Sequence, residues 1–259
     1  MGGKDSKRGR PRRAVVVVFS GGIDSACTAA MQKAEYDEVY GITFSYGQRA
    51  DREVTVARSL ARRLQLKRHV TVDIGFMKRL YGDTNVLTAG GEGGKKLPGS
   101  FDYSIVVPIR NAVFLSIATA WAFSVGATRV AYGAHTGDEH YPDCRPSFAE
   151  KLEAALNEGE SDGIRSGLRN GIEVWSPYRA GLTKEDLLRQ GADALGDMIY
   201  RTWSCYASGR LQCGECESCM NRRRAFGRAG IEDKTEYLTV GGNGGGGNGG
   251  GGQPLIRQQ

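Results

Sequence analysis

The sequence predicts an α/β protein: an open parallel sheet with helices on both faces, followed by a C-terminal, zinc-binding helical segment. Three observations carry this. Short β-branched apolar runs alternate with helix-length segments, and parallel strands need such connectors. The first run ends in a glycine-bearing turn that opens straight into a helix, a common setting for a bound phosphate. Four of the six cysteines crowd into residues 205–219, a clustering that favours a metal over disulfides in a chain expected inside the cell.

The elements follow in order. "AVVVVF" (14–19) is too short for a typical helix and predicts a strand buried on both sides. "DSACTAAMQKA" (24–34) predicts a helix with Asp24 near its start, and "DEVYGITF" (37–44) a second strand. In 51–66, Val54, Ala57, Leu60, Ala61 and Leu64 recur at helical spacing, and "RHVTVDI" (68–74) returns to strand. A buried helix over 111–126 and a strand over 128–134 resume the alternation. "PSFAEKLEAALNEG" (146–159) reads as a helix with Pro at its start and Gly at its end. The polar, glycine-containing 160–171 looks like an elaboration between helix and strand. Thr183 and Asp186, spaced as a capping box, open a helix over 183–195.

The chain divides into a disordered basic tail (1–13), an α/β domain (14–200), a zinc-binding segment packed on it (201–240) and a flexible glycine-rich tail (241–259). Lys4, Lys7, Arg8, Arg10, Arg12 and Arg13 against Asp5 place five of the six net positive charges in the first tail, so the body has no basic face of its own. The closing "QPLIRQQ" reads as disordered, or as a docking peptide on its tether. "TAGGEGGKKLPGS" (88–100) is either a surface insertion or a lid. No stretch approaches the roughly 20 apolar residues that span a bilayer. The N-terminus lacks the apolar core of a signal peptide, and a cytoplasmic protein is expected.

The turn "SGGIDS" (20–25) has neither the Gly-Lys-Ser/Thr ending of a Walker loop nor G-x-G-x-x-G. Its two glycines let backbone N–H groups approach an anion, and Ser20 and Ser25 add hydroxyl donors. Asp24 would repel a phosphate alone, which points to bound Mg²⁺ or to a helix-capping role.

Three further stretches sit at carboxyl ends of strands, where ligands bind in open α/β sheets. In "FSYGQR" (44–49), Tyr46 offers a ring to stack on a planar heterocycle, Gln48 a two-way amide and Arg49 a fixed positive fork. In "VPIRN" (107–111), Arg110 could meet a phosphate or carboxylate, and Asn111 is an N-cap candidate. "GAHTGDEHYPDCRPSF" (133–148) crowds Asp138, His140, Asp143, Cys144 and Arg145 into one loop. Its aspartate pair could read the donor edge of a guanine-like ring. Cys144, like Cys27 on the first helix, also reads as a small buried thiol.

"SCYASGRLQCGECESC" (204–219) spaces Cys205, Cys213, Cys216 and Cys219 as C-x₇-C-x₂-C-x₂-C. Four thiolates suffice for a closed tetrahedral zinc with no open position for water, hence a structural site. An iron–sulfur cluster is the rival occupant. In the cationic helix 221–230, Arg222, Arg223 and Arg224 either reach phosphates or a dimer partner, or face solvent.

The hexapeptide after its buried strand resembles the pyrophosphate loop of the N-type ATP pyrophosphatases, which implies a Rossmann-like, adenine nucleotide alpha hydrolase-like sheet. "SGGIDS", "SYGQR", "VPIRN", "YPDCRP" and the cysteines, in this order over residues 14 to about 237, resemble the 7-cyano-7-deazaguanine synthase family. That resemblance implies an ATP- and Mg²⁺-dependent ligase. It adenylates 7-carboxy-7-deazaguanine, lets ammonia displace AMP to give the amide, and repeats the activation to give the nitrile precursor of queuosine and archaeosine. It implies ATP binding by Phe19, Ser20, Gly21, Gly22, Ile23, Asp24 and Ser25. The catalytic roles fall to Asp24, Ser25, Arg49 and Arg110. Substrate contacts fall to Tyr46, Gln48, Arg110, Asn111, Asp138, Tyr141, Asp143 and Arg145. A structural Zn²⁺ and a homodimer are further implications. The segment "DEHYPDCR" is one residue shorter before its tyrosine than in many relatives, and the tails are additions. These departures leave open transfer of the activated deazaguanine to an amine of a protein or nucleic acid.

Overall fold

The computed structural model describes residues 12–48, 50, 52–88 and 96–238. The expected tails over 1–13 and 241–259 lie outside these apart from Arg12 and Arg13, as does 89–95 of the glycine-rich segment.

Chain order runs β1 (Ala14–Val18), α1 (Ile23–Glu35), β2 (Glu38–Ser45), α2 (Arg52–Arg63), β3 (Arg68–Asp73) and the short α3 (Met77–Tyr81). It continues with α4 (Arg110–Val125), β4 (Arg129–Ala131), α5 (Pro146–Gly159), α6 (Ser161–Arg165), β5 (Glu173–Trp175), α7 (Lys184–Leu195) and α8 (Glu217–Ala229). All pairings are parallel, in the order β3-β2-β1-β4-β5. The expected strand over 128–134 shortens to three residues, because Gly133 onward turns away into the loop that lines the site.

Alternation along β1 explains why its valines are buried throughout. Val15, Val17 and Phe19 face a core shared with α1, α2, α7 and α8. Ala14 and Val16 face the opposite core, with Leu115, Ala118 and Ala122 of α4 and Ala149 of α5. Each fully buried valine contributes about 1.5–3 kcal/mol. The α1–α7 contact needs a residue without a side chain: a Cβ on Gly191 would lie 2.3 Å from the Cys27 sulfur. Cys27 is thus a core thiol.

Against the expectation that no stretch nears a membrane-spanning length, Tyr103–Val125 has 23 residues and holds an 18-residue run of mean hydropathy 1.5, long and apolar enough by length and composition alone. Its long helix α4 has 16 residues, about 24 Å at 1.5 Å each, and packs on β1, β4 and α5.

The chain leaves β1 toward β2 on one side and reaches β4 on the other. The carboxyl ends of β1 and β4 therefore diverge into a crevice, the topological switch point of this sheet.

Candidate active site and metal centre

A cavity of about 290 Å³ occupies that crevice. Ser20, Asp24 and Ser25 enter it from the β1–α1 turn, Tyr46 and Gln48 from the end of β2, Arg110 and Asn111 from the start of α4. Asp138, Tyr141, Asp143 and Cys144 come from the loop after β4. Residues dispersed through the sequence are thereby brought to one place.

The turn is held by close approach. Gly21 has φ +84°, and a Cβ there would lie 2.7 Å from the Ala57 nitrogen of α2. Gly133 plays the same part on the other side, where a Cβ would meet the Ser25 nitrogen at 3.0 Å. Ser25 Oγ donates to the Gly22 carbonyl at 3.0 Å and lies 3.2 Å from Ser20 Oγ, so both hydroxyls are held in the turn. Phe19 and Ile23 are buried with their side chains in the core, so only their backbone can face a ligand.

Asp24 is not a cap. Gly22 occupies the N-cap position of α1, with no side-chain cap bond. The Asp24 carboxylate instead accepts from Lys184 Nζ at 3.0 Å and has His135 Nε2 at 3.8 Å. Burial pushes the Asp24 carboxyl up, but Lys184, His135 and Arg222 together outweigh it and hold it below its ordinary value. Burial likewise depresses the Lys184 ammonium, and Asp24 and Asp138 more than restore it. Asp138 goes the other way: burial raises its carboxyl, His135 opposes this, and Asp24 adds to it.

At the other end, Arg110 Nη1 donates to the Tyr46 hydroxyl at 3.1 Å. Tyr46 is 7% exposed, and its ring packs against Phe114 at 5.4 Å, so the expected stacking face is largely occupied by protein. Gln48 accepts from the Tyr46 N–H and donates to the Phe44 carbonyl, bracing the turn with its amide. Asn111 is not the N-cap of α4; Ile109 holds that position at φ 47°. The Asn111 N–H donates instead to Asp143 Oδ2 at 2.9 Å, fastening the start of α4 to the loop after β4. Asp138 is similarly engaged, accepting from the His135 N–H at 3.0 Å.

Arg145 and His140 do not line the cavity. Arg145 donates to the Glu139 carbonyl at 2.9 Å, and His140 stacks on Phe101 at 4.8 Å. Arg49 lies outside the described residues. Arg222 cannot reach a ligand: it is fully buried and bonded to Thr202, Ser204, Thr235 and the Ile199 carbonyl. Arg223 lies over the Tyr237 ring at 4.1 Å, and Arg224 faces out beside Asn221.

Three cavity groups, Lys184, Glu53 and Glu217, and His135 beside Asp24 were not singled out from the sequence. Lys184 stands at the first position of α7, behind the Thr183–Asp186 capping box that was recognised. His135 is 6% exposed and accepts from the Gly137 N–H through Nδ1, so Nε2 carries the proton toward Asp24. Glu53, in the first turn of α2, is pushed up to about 7 by burial, against the pull of Arg110. Glu217 belongs to the cysteine-rich segment, described next.

The four cysteine sulfurs lie within 4.8 Å of one another. Cys213 and Cys219 are 3.9 Å apart, close to the edge of about 3.8 Å that a tetrahedron of 2.3 Å metal–sulfur bonds requires. The Ala207 and Cys213 N–H groups point at the Cys205 sulfur, both at 3.4 Å, and the Cys216 N–H at the Cys213 sulfur at 3.3 Å. Backbone donors aimed at sulfur stabilise thiolates, so this donor set can hold a metal ion. The segment also closes the cavity, because Tyr206, Glu217, Ser218 and Asn221 form one of its walls.

Sheet, switch-point cavity and four-cysteine cluster together define a Rossmann-like α/β protein with a ligand-sized cavity at its switch point and a C-terminal cysteine cluster that can hold a metal ion. The family model described as Queuosine biosynthesis protein QueC matches residues 14–230. The 7-cyano-7-deazaguanine synthases of Thermoplasma acidophilum and Methanothermobacter thermautotrophicus are each 39% identical to this chain. The matches cover 87% and 86% of this chain, and 92% and 98% of theirs. That of Caldicellulosiruptor bescii is 38% identical over 86% of this chain and 96% of its own. The chain belongs to the queuosine biosynthesis protein QueC family.

Proposed function

We propose that this protein is an ATP-dependent ligase that converts 7-carboxy-7-deazaguanine and ammonia into 7-cyano-7-deazaguanine, releasing AMP and pyrophosphate. The observation that carries the reading is the Ser20–Ser25 turn with Lys184 and Asp24 at the switch point, in a chain 39% identical to named synthases. A carboxylate or amide oxygen is a poor leaving group, and transfer of AMP to it makes it a good one.

Each group has work to do in this reading. Backbone N–H groups of the turn, the Ser20 and Ser25 hydroxyls and the positive end of α1 bind the triphosphate. Lys184 neutralises charge that builds on the departing pyrophosphate, acting in a site where charge is poorly screened. Asp24 and Asp138 are hard oxygen donors suited to Mg²⁺, which supplies further charge neutralisation when bound. Arg110, Arg49 and Asn111 orient the acid; Tyr46 and Gln48 set the shape of that end, with Tyr141 and Asp143 as further substrate contacts, while Arg145 supports the loop after β4 from outside the cavity. The cysteines hold one structural Zn²⁺. Two copies associate, a reading supported by the exposed apolar side chains ahead of α4, Tyr103 at 69% and Ile109 at 66% exposed.

The test is incubation of the full chain with ATP, Mg²⁺, the deazaguanine acid and ammonium. Two AMP per nitrile are expected, read by chromatography and mass spectrometry. Absence of AMP formation overturns the reading. AMP formation with the deazaguanine mass appearing on a protein or nucleic acid would move the acceptor to a macromolecule.

A further inference from the structure

Five carboxylates line the cavity, and three of them have a described donor that fixes their role. Asp24 is paired with Lys184, Asp138 takes the His135 N–H, and Asp143 takes the Asn111 N–H. Glu53 is pushed up to about 7 by burial, against the pull of Arg110. Glu217 differs. It is 6% exposed, yet its described donors are two neutral side chains: the Tyr206 hydroxyl at 2.7 Å on Oε2, and the Asn221 amide on Oε1. No described cation forms an ion pair with it. A carboxylate offers about four lone-pair sites, and a buried one is costly until they are filled. Two oxygens side by side, each with one site taken, suit a rigid pair of parallel N–H donors.

Glu217 is also fixed in place. It follows Cys216 and precedes Cys219 by two residues, and its N–H donates to the Pro98 carbonyl at 2.9 Å. The tyrosine that bonds it lies in the same wall of the cavity. In a 7-deazaguanine acid, the acid group and the paired N1–H and 2-amino donors lie at opposite ends of the fused ring. A site that activates the acid therefore needs a separate acceptor for the far end.

We propose that Glu217 is the specificity-determining residue of this site, its carboxylate accepting the N1–H and 2-amino N–H of the deazaguanine ring. The proposal rests on the reading under Proposed function. It moves the recognition of the guanine edge from the Asp138–Asp143 pair to the metal-bearing wall.

The test compares 7-carboxy-7-deazaguanine with its analogue lacking the 2-amino group, using the full-length, metal-loaded protein and following AMP release. The wild type should favour the amino-bearing acid by at least about 100-fold in kcat/KM, as sites built around a substrate N–H do. In Glu217→Gln, KM for that acid should rise at least about 30-fold and the preference should fall below about 5-fold. KM for ATP, kcat at saturation, metal content and melting temperature should stay near wild type, which a merely structural role would not allow. Retention of the wild-type preference in Glu217→Gln overturns the proposal. Should that variant not fold, the wild type alone decides, because equal use of the two acids also overturns it. Absence of AMP release from either acid with wild type sinks the functional reading and this inference together. AMP release without discrimination sinks the inference alone.

Discussion

At the scale of single residues, Glu53 shows how the site stores free energy. Its carboxyl lies at about 7 in the folded chain against an ordinary 4.5, with burial as the main cause and Arg110 as the opposing pull. The folded state therefore binds this proton more tightly than the unfolded state. The stability that Glu53 contributes is fully present below about pH 4.5 and is lost as pH rises through about 7. At about 1.4 kcal/mol per unit, the loss is on the order of 3–4 kcal/mol. Glu53→Gln should abolish it, and urea melts should find the variant more stable than the parent at pH 8 but not at pH 5. A variant with no advantage at pH 8 would show that Glu53 keeps its charge at little cost. Single residues were also where the sequence was hardest to read. The Asp24 partner lies 160 positions away in Lys184, a distance at which no local spacing carries information. Arg222 looked like one of three surface arginines, and only the folded chain shows it sealed among Thr202, Ser204 and Thr235.

At the scale of elements, the turn after β1 is a contact between helices as much as a ligand site. Gly21 lets the start of α1 press on α2, and α2 in turn delivers Glu53 to the cavity. Gly21→Ala forces a left-handed backbone onto a side chain and drives a methyl into the Ala57 backbone. A destabilisation of about 1–3 kcal/mol is expected, together with a raised KM for ATP as α2 yields. Thermal melts and initial-rate kinetics would measure both, and an unchanged melting temperature would refute the packing account. The main strands and helices were legible because their periods are strong. β1 is Ala14 followed by four valines, α2 repeats Ala57, Leu60 and Ala61, and α7 announces itself by the Thr183–Asp186 box. The five-residue α3 and the three-residue β5 escaped bounded assignment, being too short for a period to show. The Asn111 cap was misplaced because the chain enters α4 through a left-handed Ile109, a choice that the flanking residues do not announce.

At the scale of the whole molecule, two halves meet over one cavity. The glycine turn after β1 and the cysteine spacing were legible because each is contiguous in sequence, whereas their convergence on one cavity is a product of topology. The metal centre should be worth more to the wall than to the sheet. Stripping it with a chelator should abolish turnover and lower the melting temperature, while far-UV circular dichroism keeps most of the parallel sheet and its helices. Loss of the whole spectrum would mean that the sheet also depends on the knot. The placement of Glu217 between two cysteines has an evolutionary consequence. In the proposed reading, nucleotide handling resides in the sheet's turns, while the face that meets the far side of the acid is carried by the four-cysteine segment. New acids could be recruited to an unchanged activation engine by rewriting some fifteen positions around one ion, much as a lathe takes a different chuck.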